Sequence, residues 1–262
     1  MEGLTIKDLE VRYGSATVLH QVNLTVPAGS VLGVAGESGS GKSTLARAVV
    51  GLTPPVGGRI TLGGRDLSTL SARERRGVQL VFQDANSSLD PRMTAGRSIA
   101  EALSGKRSRT QRREAVAALL RQVRLDPQVA GMLPRRLSGG QRQRVAVARA
   151  LAAEPSVLIA DEITSALDIS VQAAVLNLLR DLHRDLGLTI VFISHNLAAV
   201  RYVCTDVAIL YHGRVVETGP AEAVLSRPTH PYTTRLLASV PELHRPDARD
   251  EPAVRATKDR SL

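Results

Sequence analysis

The chain has no tryptophan, two phenylalanines and four tyrosines among 262 residues. Proteins that hold single-stranded nucleic acid stack its bases on aromatic side chains, and almost none are present for that purpose. Cysteine is nearly absent too: Cys204 alone excludes an internal disulfide and a thiolate metal site. No long apolar run occurs. The longest, Ala115 to Leu120, is six residues, against the ~18 or more that a membrane-spanning helix requires. The opening residues MEGLTIKDLE carry no apolar stretch behind a positive charge, so no secretory leader is expected. A membrane span, a disulfide scaffold and a zinc ribbon are thus excluded, and a 43% hydrophobic content excludes a disordered chain. The expected compartment is the cytosol.

Lysine is also scarce, four residues against 30 arginines, and the net charge is +9. The excess is regional. Between Arg59 and Arg149 there are 19 basic and seven acidic residues, whereas the remainder has 15 basic and 18 acidic. Such a region is a solvated face, a surface for acidic partners or anionic lipid, or a nucleic-acid surface. The shortage of aromatics argues against the last.

Alternation of apolar and polar residues predicts antiparallel strands at Leu4–Val11 and Val18–Val26. After the turn Pro27-Ala28-Gly29, the short apolar run Val31–Ala35 predicts a strand buried on both faces. A glycine-rich loop, a helix Lys42–Val50 and strands Arg59–Leu62 and Val78–Phe82 follow. From about Asp84 to Leu137 strand signals vanish and arginine-rich helical patterns such as Thr110–Val123 take over, which predicts an inserted helical subdomain. Strands and helices then alternate: Val157–Ala160, helix Val171–Leu186, Thr189–Ile193, a short helix, Val207–Tyr211 and Arg214–Glu217. The fold class expected is α/β with a parallel sheet. Glu242–Leu262, with five acidic and five basic residues and two prolines, reads as a disordered tail.

Three motifs carry chemistry. Gly36-Glu37-Ser38-Gly39-Ser40-Gly41-Lys42-Ser43 fits G-x-x-x-x-G-K-[ST] between a predicted strand and a predicted helix, and Thr44 continues the helix start. Its glycines let backbone N–H groups converge on phosphate oxygens at a helix N-terminus. Lys42 suits the β- and γ-phosphates as a compact charge, and Ser43 offers a hydroxyl to Mg²⁺. The run Val157-Leu158-Ile159-Ala160 ends in Asp161-Glu162, placing two carboxylates at the edge where parallel sheets bind ligands. Asp161 suits the Mg²⁺ shell, and Glu162 suits removal of a proton from an attacking water. Lastly, Ser138-Gly139-Gly140-Gln141 has the spacing of a capping box. A cap alone does not explain two glycines in a first helical turn, at ~1 kcal/mol each in helix propensity. Bare amides at a helix start form an anion site.

Ser138–Gln141 and its basic continuation resemble the signature motif of the ABC ATPase family. Other family elements occur in order. Tyr13 matches the aromatic that stacks on adenine; Gln83 matches the glutamine linking Mg²⁺ and water to the transporter partner. Ser165-Ala166-Leu167-Asp168 matches the loop crossing the dimer interface, and His195 the histidine that senses the γ-phosphate. The resemblance spans about residues 4–240. It implies a P-loop ATPase core with an N-terminal antiparallel β subdomain and the helical insertion at about 84–137. It also implies ATP and Mg²⁺, and a head-to-tail dimer in which the signature helix of one subunit caps the nucleotide of the other.

A finer resemblance joins Glu37-Ser38-Gly39-Ser40, Phe82-Gln83-Asp84, Ser88-Leu89-Asp90-Pro91-Arg92-Met93-Thr94 and Arg227-Pro228-Thr229-His230-Pro231-Tyr232-Thr233. These are similar to the oligopeptide/dipeptide/nickel importer branch, and to the second of its two paired ATPases. That implies two permease subunits, a second ATPase or a second copy of this chain, and indirectly an extracytoplasmic solute-binding protein. The expected location is the cytoplasmic face of the cell membrane, with no nucleic acid bound. The alternative, a non-transport ABC ATPase acting on DNA or ribosomes, calls for a long coiled-coil insertion or two nucleotide domains in one chain. The sequence departs from the family in having Ile163 after Glu162 instead of proline, Leu133-Pro134-Arg135-Arg136 before the signature, and no proline after Asp84. The cysteine cluster of some branch members is missing.

Overall fold

The computed structural model describes residues 3–84, 88–165 and 167–239. Two sheets organise it. Strands β1 (Leu4–Tyr13), β2 (Ala16–Val26), β4 (Gly57–Leu62) and β5 (Arg65–Asp66) form an antiparallel sheet in the order β2-β1-β4-β5. The other sheet has six strands in the order β10-β9-β3-β8-β7-β6. They are β3 (Val31–Ala35), β6 (Val78–Val81), β7 (Val157–Asp161), β8 (Thr189–Ile193), β9 (Asp206–Tyr211) and β10 (Arg214–Pro220).

Strands β3, β6, β7, β8 and β9 run parallel, as the alternation of strands and helices predicts. The edge strand β10 differs: it is antiparallel to β9. His212 and Gly213, at φ 43° and 71°, form the tight hairpin between them, a turn whose twist matches that of the flanking strands.

Every residue of β3, β7 and β8 is buried, so the two-residue period of each strand feeds two cores. Leu32, Val34, Ile159, Val191 and Leu210 pack toward the antiparallel sheet, together with Leu45 and Val49 of helix α1 (Lys42–Val49). Val31, Leu158, Ile190, Phe192 and Ile209 face the opposite core. That core continues into α5 (Gly139–Leu151), α6 (Ile169–Leu186) and α7 (Leu197–Val203). It also takes in Ile99 and Leu120, from the helices between β6 and β7. Ile99 belongs to α3 (Ala95–Ala102) and Leu120 to α4 (Arg109–Gln122), and the short α2 (Ala72–Arg75) precedes β6. The last described elements are α8 (Ala221–Ser226) and α9 (Pro231–Ala238). The tail read at 241–262, and Ala85, Asn86 and Ala166 of the quoted motifs, lie outside the described residues.

Candidate nucleotide and catalytic site

Because β3, β7 and β8 are parallel and in register, with Val34 and Asp161 both paired to Ile193, their C-terminal ends open onto one edge. The loop after β3 turns sharply there. Gly36 (φ 152°) has no room for a side chain, since a Cβ would lie 2.2 Å from the carbonyl oxygen of Leu210. Gly41 precedes α1 at φ 107°, a conformation L side chains rarely adopt. Gly36→Ala is therefore expected to cost about 2–4 kcal/mol through strain and overpacking. Thermal melting should show it as a fall of about 5–15 °C.

Lys42 is only 5% exposed. Its Nζ donates to the carbonyl oxygens of Gly36 at 2.9 Å and Glu37 at 2.7 Å. Burial lowers the ammonium pKa, and the fields of Glu162, Asp161 and Glu37 partly restore it. Among the described residues no carboxylate forms an ion pair with it. A buried cation held only by neutral carbonyls, beside the first amides of α1, fits an incoming phosphate.

Asp161 ends β7 and is buried, and burial raises its carboxyl pKa against the opposing pull of Ser43. Ser43 Oγ donates to Asp161 Oδ1 at 3.3 Å. This oxygen pair is the chemistry Mg²⁺ takes when phosphates and water complete its shell. The next residue, Glu162, occupies the left-handed region at φ 48°, and its N–H donates to the carbonyl of Ile193 at 2.9 Å. That turn aims its carboxylate at His195, with Oε1 3.3 Å from Nδ1. Gln83 Nε2 donates to Ser165 Oγ at 3.0 Å, and Ser165 Oγ donates to the carbonyl of Glu162 at 2.9 Å. Residues from three separate strand ends thus meet at one edge. Ile163 is 1% exposed, so an apolar side chain in place of proline fills core space.

Tyr13 is half exposed, and its hydroxyl shares a hydrogen bond with Thr53 Oγ1 at 3.1 Å. The ring is held by its tip and keeps area for an aromatic base. Ser138 is the N-cap of α5 in a complete capping box: its Oγ accepts from Gln141 N at 3.2 Å, and its N–H donates to Gln141 Oε1 at 2.9 Å. The second glycine has a reason within the chain, for a Cβ on Gly140 would come 2.5 Å from Val171 Cγ1 of α6. The bare-amide reading therefore rests on Gly139 and the cap. Asp168 precedes α6 and makes no side-chain cap bond. Among the described residues, no hydrogen bond joins Ser138–Gln141 or Asp168 to the loop 36–44. Thr53 gives no signal recognisable by spacing, and Ser165 and Tyr232 are visible in the sequence only as parts of their motifs, not as site residues.

The sequence profile described as ABC transporter matches residues 19–165. The chain belongs to the ABC transporter family. A second profile, the C-terminal region of oligopeptide/dipeptide transporters, matches residues 216–260. The di/tripeptide transport ATP-binding protein DppF of Pseudomonas aeruginosa is 46% identical over 257 residues, covering 92% of this chain and 80% of its own. A Brucella ovis protein provisionally named as a peptide import ATP-binding protein is 46% identical over 251 residues, covering 94% and 79%. The post-hydrolysis dimer of the ATP-binding cassette MJ0796, bound to ADP and Pi, has a TM-score of 0.73 at 29% identity. It covers 83% of this chain and 98% of that one. The cbiO1 cassette of Clostridium perfringens, part of a cbiONQ transporter complex, has a TM-score of 0.78 at 28% identity, covering 86% and 91%. This ABC cassette is an ATPase of α/β architecture. Among the described residues, none of its helices is long and apolar enough to cross a membrane.

Proposed function

We propose that this cassette energises a membrane importer of peptides, docking on two permease subunits at the cytoplasmic face and working as a dimer with a second ATPase or a second copy of itself. The observation that carries the substrate class is the match of residues 216–260 to the C-terminal region of oligopeptide/dipeptide transporters. Uptake of labelled di- and oligopeptides by cells with and without the subunit tests it. Loss of nickel uptake with peptide uptake intact would overturn the peptide assignment. One ABC domain over 1–240, with helices inserted at about 84–137 and the importer-type motif at 227–240, is the domain division that accompanies this reading.

In the reaction we assign, Lys42 and the amides of Gly39–Thr44 hold the phosphates, and Glu37, Ser38 and Gly36 shape their cradle. Tyr13 stacks on the base. Ser43, Asp161 and Gln83 would hold Mg²⁺, which when bound neutralises charge on the phosphate oxygens. Glu162 takes the proton of the attacking water, and His195, in contact with its carboxylate, senses the γ-phosphate. Ser138, Gly139, Gly140, Gln141 and Asp168 serve across the dimer, where the cap of α5 faces the nucleotide of the partner subunit. That no hydrogen bond joins them to the loop of their own chain, among the described residues, accords with that role.

The basic region accords with docking by charge. Arg107 is committed to Glu154 at 3.1 Å. Arg109, Arg112 and Arg113 of α4 are exposed and form no ion pair among the described residues. Acidic permease loops or anionic headgroups would be drawn to them over a screening length of ~8–10 Å at physiological salt. Reversing these three charges, or raising the salt, is expected to weaken co-purification with the permeases while ATP affinity holds. Assembly indifferent to both would show that the face is only solvated.

A further inference from the structure

The C-terminal turn and helix reach back to the phosphate loop. Tyr232, in the first turn of α9, is 2% exposed, and its Oη accepts the backbone N–H of Glu37 at 3.0 Å. The peptide unit joining Gly36 to Glu37 is therefore held on both sides. Its N–H is on Tyr232, and its carbonyl, that of Gly36, is on Lys42 Nζ at 2.9 Å. One phenolic oxygen from near the end of the described chain thus orients the peptide against which the loop lysine is parked.

The neighbouring residues seat that tyrosine. Its ring stacks on Tyr211 with centroids 3.9 Å apart and planes 26° apart, and Tyr211 ends β9, the strand paired with β3 that feeds the loop. The carboxylate of Glu217 accepts from Thr229 N at 2.8 Å, Thr229 Oγ1 at 2.9 Å and His230 N at 3.1 Å. His230 Nδ1 then accepts Tyr232 N at 3.1 Å, and Pro231 takes the first helical position, where no N–H is needed. Thr229-His230-Pro231-Tyr232 reads physically as a turn, a cap, a helix start and a hydroxyl delivered to the loop. Burial pushes the phenol pKa above its ordinary value, so the hydroxyl stays neutral through the working pH range.

We propose that Tyr232 is a positioning residue for nucleotide binding: its hydroxyl holds the Gly36–Glu37 peptide so that Lys42 is preset for phosphate, and the C-terminal segment thereby sets the ATP affinity of the cassette. The proposal rests on the phosphate-loop reading of residues 36–44. Tyr232→Phe keeps the ring, the stacking and the volume, and removes one oxygen.

With the full chain, a fluorescent ATP analogue and Mg²⁺, Kd is expected to rise about 3- to 10-fold, the range that loss of one hydrogen bond spans. The KM for ATP should rise with it and kcat should change less than about twofold. Glu217→Gln leaves the hydroxyl but turns one acceptor oxygen of the turn into a donor, and should move Kd the same way by less. Tyr211→Phe, which removes a hydroxyl from the other ring of the stack, should leave Kd unchanged. A Kd for Tyr232→Phe within about twofold of wild type, whatever its melting temperature, would reduce Tyr232 to a packing residue and overturn the proposal. If Tyr232→Phe does not fold, an unchanged Kd in Glu217→Gln overturns it instead. Lys42→Ala separates the two levels. Loss of binding there with none in Tyr232→Phe defeats this proposal alone, whereas unchanged binding in Lys42→Ala defeats the loop reading and this proposal with it.

Discussion

Glu162→Gln is expected to lower ATP turnover by about 10²- to 10⁴-fold, the range attributable to one general base, while leaving nucleotide affinity near that of wild type. The amide is nearly isosteric with the carboxylate and stays beside His195 Nδ1, which lies 3.3 Å from the present Oε1, but it cannot take a proton. The backbone at this position should tolerate the change, because the left-handed φ of 48° and the N–H bond to Ile193 belong to the main chain. With hydrolysis blocked, ATP should hold the dimer closed. Size-exclusion chromatography with ATP and Mg²⁺ should show the variant shifting to dimer while wild type returns to monomer as ATP is consumed. Wild-type turnover in a strictly monomeric variant would remove Glu162 from the base role.

Ser138→Asp should separate the helix cap that Ser138 forms from the proposed role across the dimer. Aspartate is as good an N-cap as serine, and a negative charge at a helix N-terminus adds ~0.3–1 kcal/mol, so the melting temperature should hold or rise. Gln141 Oε1 still accepts the N–H of residue 138, now at 2.9 Å. If this cap faces the γ-phosphate on the partner subunit, the added carboxylate repels it, and turnover should fall by at least ~100-fold, the scale for losing one donor to a developing charge. Ser138→Asn, a neutral cap, should retain far more activity. Full turnover in the aspartate variant would leave Ser138 as a helix cap and nothing else.

Much of the site was legible because its parts are local. The loop 36–43 is one contiguous motif readable from its spacing, although the crowding that requires Gly36, a carbonyl oxygen 2.2 Å from a Cβ there, comes from the distant Leu210. The strands Val31–Ala35 and Thr189–Ile193 have the bounds expected of them, since burial on both faces makes each an almost unbroken apolar run in which Thr189 is the one polar side chain. The helix expected at Thr110–Val123 begins at Arg109, where Ser108 caps it through a box with Gln111. The two glycines after Ser138 differ in their surroundings. Gly140 is dictated by Val171, 31 positions along the chain, and no spacing rule reports such a contact.

The amino-acid sequence by itself determined most of the strands, the helices that begin at Lys42, Arg109, Gly139 and Ile169, where the glycine-rich loop lies, and that Asp161 ends a buried strand with Glu162 next to it. Those features depend on side-chain periodicity and on neighbours a few residues away. Tertiary structure alone decided that Gln83 meets Ser165 across 82 positions and that Tyr232 meets Glu37 across 195. Such contacts follow from the order β9-β3-β8-β7-β6, which brings strand ends distant in the chain to one edge. A parallel sheet pairs strands through backbone hydrogen bonds that every residue type can make, so their order leaves no mark on any single strand.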